Sequence, residues 1–184
     1  MNKRIALIVL ALLLCASLSV FGAEKKSKTI PWMASYNQAG QLNGYLSAGI
    51  DGWGVAASAG AEIIIGEFDI GGVPLSWGVM GRGLIGLPLF YGYAGIDYGA
   101  AGLATLHWGV DFGASTKFDV YAGLGAGVMG NYWTPFAIAF SQFAGVSWFL
   151  NDNLTLIVED GYFNGFGYLS GWLSYWGVGV QVKL

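Results

Sequence analysis

Six ionisable residues stand where they could do chemistry together: Glu62, Arg82, His107, Asp119, Glu159 and Lys183. Most have apolar neighbours, as Asp119 has in Phe118 and Val120. On a strand, that pattern turns the ionisable groups to one face and the apolar ones to the other. Such a set could act as a gate or a solute-contact network. It could equally be a salt-bridge cluster that fills a core, since buried charge has to be paired. The cluster is the expectation, with Arg82 among Glu62, Glu159 and Asp119, because a guanidinium can hold several carboxylates. The one histidine, His107, turns to the same face as the other ionisable groups, and no catalytic residue is expected. One histidine and one cysteine, Cys15, form no metal-ligand cluster, so neither metal nor cofactor is expected. The strings Gly123-x-Gly125-x-Gly127 and Gly177-x-Gly179 lie inside alternating segments with no helix after them, which argues against phosphate loops.

The elements that must carry these residues are strands. Trp176, Val178, Val180, Val182 and Leu184 alternate with Gly177, Gly179, Gln181 and Lys183. Eight segments show the same period of two: 42–50, 54–66, 75–86, 98–110, 117–129, 137–150, 153–163 and 172–184. Only 10% of residues are charged, 16% are aromatic and 31 are Gly. That composition does not suit a soluble globule, where about 25% would be charged. It suits a closed antiparallel barrel whose outside meets lipid and whose lumen holds the small and polar face. Val120 to Leu150 and Gly161 to Val182 carry no charge, so a helical inner-membrane protein is the rival. Glycine every second residue disfavours it.

Residues 1–22 read as a signal peptide. Lys3 and Arg4 precede the apolar run Ile5 to Leu14, and cleavage before Ala23 is expected. Cys15 reads as part of that apolar run, without lipidation. Residues 23–41 form a periplasmic lead and 42–184 the barrel. Without Lys3 and Arg4 six bases remain against eleven acids, three of them in the lead, so no basic patch invites nucleic acid.

With both ends periplasmic, Glu67 to Pro74, Asp111 to Thr116 and Asn151-Asp152-Asn153 become periplasmic links. Trp77, Trp108, Phe118 and Trp148 then form an inner aromatic belt. Trp53, Phe90, Tyr91, Tyr132, Trp133, Phe136, Tyr162, Phe166 and Trp172 form an outer one. Tyr45, Tyr121, Phe143, Phe149 and Tyr175 point inward by parity. An eight-stranded lumen is only wide enough for its own side chains, so these rings need glycine opposite them. Gln142 and Asp160 fall on the lipid face, Asp160 near an outer strand end and Gln142 accounted for only by a bulge.

The run Phe118-Asp119-Val120-Tyr121-Ala122-Gly123-Leu124-Gly125-Ala126-Gly127-Val128 and the closing Gly179-x-x-Val182-x-Leu184 resemble the small eight-stranded outer-membrane barrels, the OmpX/OmpW type and the membrane half of OmpA. The resemblance implies an outer-membrane location and outer-membrane lipid as the surroundings. It also implies that Gly179, Val182 and Leu184 form a C-terminal signal read by the barrel-assembly machinery, although Leu184 stands where the family usually has an aromatic. A monomer with a structural or surface-interaction role is expected. An OmpW-like channel for small hydrophobic solutes is the alternative. Enzymes of this size class resembling a lipid A deacylase carry a His-x-Ser pair that this chain lacks.

Overall fold

Parity sorts the side chains along every long strand. On one strand Gly99, Ala101, Leu103, Thr105 and His107 are buried, while Tyr98, Ala100, Gly102, Ala104 and Leu106 are exposed. The exposed set is largely apolar, the inverse of a soluble sheet and the pattern of a wall facing lipid. These relations come from a computed structural model that describes residues 30, 32–52, 54–89, 95–113, 116–166 and 171–184. The expected signal peptide with Cys15, residues 23–29 and 31 of the lead, and Trp53, Phe90 and Tyr91 of the outer belt lie outside the described residues.

A short strand, β1 (Met33–Ala34), precedes eight long ones: β2 (Leu42–Asp51), β3 (Gly54–Ile70), β4 (Val73–Pro88), β5 (Asp97–Asp111), β6 (Lys117–Gly130), β7 (Ala137–Phe149), β8 (Leu154–Gly165) and β9 (Trp172–Lys183). Each long strand pairs antiparallel with its chain neighbours, and β9 returns to β2 through Asn43↔Lys183 to Asp51↔Tyr175. The ring is closed, so every strand edge is satisfied within the sheet, as lipid requires. The described residues form no helix long and apolar enough to cross a membrane. An all-β ring replaces the helical rival.

Two sequence expectations about local geometry are corrected. Glu67 to Pro74 is not a loop: β3 and β4 run on to Ile70↔Val73, closed by Gly71 and Gly72 at φ of 64° and 95°. Two positive φ angles make the tight hairpin that suits the twist of paired strands, and Gly adopts them without strain. Nor does a bulge explain Gln142. β7 pairs in unbroken register from Phe118↔Trp148 to Met129↔Ala137, and the irregularity lies between Ile64 and Gly66 on β3. The Asn151 turn forms as expected, its Oδ1 accepting from the Asn153 and Leu154 backbone N–H groups at 2.9 Å each.

Inside, the rings and glycines interlock. Tyr121 is paired with Gly145 and Phe143 with Gly161, and a Cβ on Gly145 would stand 2.7 Å from the Tyr121 ring. Above them, toward the end bearing the 131–136 loop, Leu84, Leu103, Met129, Phe163 and Leu173 form an apolar cluster at 0–4% exposure. Trp108 and Trp148 stand exposed at one rim, and Tyr132, Trp133, Phe136, Phe166 and Trp172 at the other.

Candidate functional site

The lower and middle lumen holds two polar clusters. In the first, His107 on β5 lies between two carboxylates. Its Nε2 is 2.8 Å from Glu62 Oε1 and its Nδ1 is 2.7 Å from Asp119 Oδ2. Both ring nitrogens are thus engaged by carboxylates. Glu62 reaches it from β3 across β4 because Gly78 lies between; a Cβ there would stand 3.2 Å from Glu62 Oε1. The Thr105 hydroxyl also donates to Oε1, and the Tyr45 hydroxyl donates to Oε2 at 2.5 Å. His107 stacks on the Tyr121 ring at 5.7 Å.

The second cluster crosses the barrel. Arg82 on β4 meets Glu159 on β8, the strand diametrically opposite, with both side chains fully buried. Arg82 Nε donates to Ser58 Oγ at 2.8 Å. Its guanidinium lies 5.1 Å from the Tyr45 ring centroid and 5.3 Å from that of Phe143. Glu159 also accepts from the Ser47 hydroxyl and, at 2.6 Å, from the Tyr121 hydroxyl. Tyr175 donates to Ser47 at 2.8 Å. The expected grouping of Arg82 with Glu62 and Asp119 is therefore corrected: His107 engages those two, and Glu159 pairs with Arg82. Lys183 joins neither cluster. It sits at the mouth, its Nζ donating to the Tyr36 carbonyl at 3.1 Å.

Sequence reasoning did not single out Asn37, which is wholly buried and donates to Asp119 Oδ2 at 3.1 Å. Its segment enters the mouth after β1 pairs with β5 through Met33↔Val110. No periodicity marks a residue outside a strand. Asn43, Ser47, Ser58 and Thr105 were within reach of the alternation, since each is buried on the same parity as a charged residue of its own strand or of its partner strand. At the other mouth Asp51 and Asp97 are buried too, and Asp51 Oδ1 accepts the Gly54 N–H at 2.5 Å. Of the three residues expected to form the terminal signal, Gly179 packs inward against Ser47, while Val182 and Leu184 face outward. Leu184 is 75% exposed, its N–H donating to the Leu42 carbonyl. Among the described residues no group of three or more His, Cys, Asp or Glu could hold a metal ion.

A closed ring of eight antiparallel strands, apolar outside and packed within, defines the small outer-membrane β-barrel fold. No family model and no curated protein matches the chain. Solved structures do. The outer membrane enzyme PagL superposes with a TM-score of 0.57 at 11% identity, covering 77% of this chain and 99% of that one. Ail, the attachment invasion locus protein of Yersinia pestis, has a TM-score of 0.44 at 12% identity, covering 78% and 97%. Neisserial surface protein A has a TM-score of 0.42 at 14%, covering 78% and 95%. At these identities the likeness is one of fold.

Proposed function

We propose that this chain is an outer-membrane barrel with a sealed lumen, whose role is structural or lies in interactions at its surface. The observation that supports this is the filled cross-section. Tyr45, Tyr121, Phe143 and Tyr175 are 1–4% exposed, so water-sized space beside them is nearly nil, and Arg82–Glu159 ties the opposite walls at that level. A non-enzymatic role accords with His107, whose two ring nitrogens are both engaged by carboxylates deep in the lumen. The outward Val182 and Leu184 are free to serve as the handle for the barrel-assembly machinery.

A conduit for small hydrophobic solutes would have to open the apolar cluster of Leu84, Leu103, Met129, Phe163 and Leu173. Vesicles bearing the full chain test this. They are expected to take up neither small sugars nor a small fluorescent hydrophobic amine faster than vesicles without protein. Protein-dependent uptake of the amine alone would replace the sealed-lumen reading with the conduit.

A further inference from the structure

The lipid-facing wall of β7 and β8 carries polar side chains at half its height. Gln142 is exposed, and Asp160 and Tyr162 are half-buried, all three pointing outward. Tyr162 is paired with Gln142 on one side and with Ser174 on the other; Asp160 is paired with Ala144 and Trp176. Asp160 does not lie near a strand end, as its sequence position suggested. It stands six residues from Leu154, where β8 begins, and six from Phe166 of the outer rim. Gln142 likewise stands six residues from Phe136 of one rim and six from Trp148 of the other. At ~3.3 Å per residue and a tilt near 40°, that is ~15 Å from either rim along the membrane normal. Among the described residues neither Gln142 nor Asp160 has a hydrogen-bond partner.

A carboxyl and an amide at mid-height of a lipid-facing wall are costly if they meet only hydrocarbon. Lipid headgroups lie too far away to reach them, and so does water at either rim. A polar side chain brought by another protein in the plane of the membrane would satisfy both. Gln142 and Asp160 are diagonal neighbours on adjacent strands, one a donor and acceptor and the other a carboxyl. A two-fold axis between them sets Gln142 of one copy against Asp160 of the other, and the reverse pair beside it. This self-complementarity is what an isologous interface requires. Ala144, paired with Asp160, and Tyr162, paired with Gln142, complete the square around that diagonal, so the small Ala144 lies beside both polar groups.

We infer that the β7–β8 wall is the contact surface for a second copy of this chain within the membrane. The contact replaces the expectation of a monomer. It concerns the outside of the barrel and stands whether or not the lumen is sealed. The test is disulfide trapping of the full chain in vesicles, in a Cys15→Ser background. Ala144→Cys is compared with Val79→Cys, which places the thiol outward on the opposite wall. The expected result is a crosslinked product of twice the chain mass, several-fold more abundant for Ala144→Cys. Adding Gln142→Leu and Asp160→Leu to Ala144→Cys should reduce it to the Val79→Cys level, with the heat-modifiable barrel retained on gels. Equal trapping at both walls overturns the inference, as does trapping that survives the two Leu substitutions. If the doubly substituted chain does not assemble, Gln142→Leu alone decides the matter in the same way.

Discussion

Arg82 and Glu159 stand on strands four places apart around a ring of eight, so their ion pair spans the lumen rather than stitching neighbours. Removing one partner of a buried pair leaves the other charge uncompensated, at a cost of ~3–5 kcal/mol when water is excluded. Arg82→Ala should therefore lower the midpoint of urea unfolding in detergent. Glu159→Gln in the same background should restore part of the loss, whereas Glu62→Gln should restore none, because Glu62 belongs to His107. Restoration by Glu62→Gln alone would contradict this division into two clusters. Parity in the sequence put all of these groups in the lumen. It could not choose Arg82's partner, because which side chains meet across a barrel depends on the stagger of strands around the ring. Alternation within one strand does not carry that information. The role of Asn37 was hidden for a different reason: it enters the lumen from a segment without a strand period.

At the scale of strands, the glycines divide by the face they occupy. Gly161 faces inward under Phe143, and a Cβ there would meet the ring, with Cδ1 and Cζ each 2.8 Å away. Gly102 faces outward, with nothing within 4 Å of its would-be Cβ. Gly161→Ala should cost ~1–3 kcal/mol by overpacking. Gly102→Ala should be neutral or stabilise by ~0.4–1 kcal/mol, since it restricts the unfolded chain and meets no obstacle. Unfolding midpoints of the two variants, measured side by side, check this; equal effects would mean that the glycines are not there to seat rings. Ring-to-glycine complementarity could be read from the sequence because both partners obey the same period. The β3–β4 hairpin could not. Gly71-Gly72 looked like part of a longer loop because Glu67, Asp69 and Pro74 are weak strand formers on their own, and pairing in the tertiary structure overrides that preference. The irregularity at Ile64 and Gly66 was likewise silent, since an extra residue in one strand shows only against its partner's register.

For the molecule as a whole, the fold was legible because lipid imposes one rule on every strand, and eight repetitions of a weak signal make a strong one. The boundaries followed to within a few residues, as in 117–129 against Lys117–Gly130. What the barrel does was less legible, because filling a lumen and lining a path use the same residue types. Only the packing separates them. In the proposed sealed barrel, rings at 1–4% exposure and a wall-to-wall ion pair close the lumen. Planar-bilayer recording of the purified full chain measures that directly. A sealed barrel inserts without resolved current steps in molar salt, and Arg82→Ala, which deletes the cross-brace, yields brief flickering openings at most. Stable, uniform current steps from the unsubstituted chain would mean that the lumen is open.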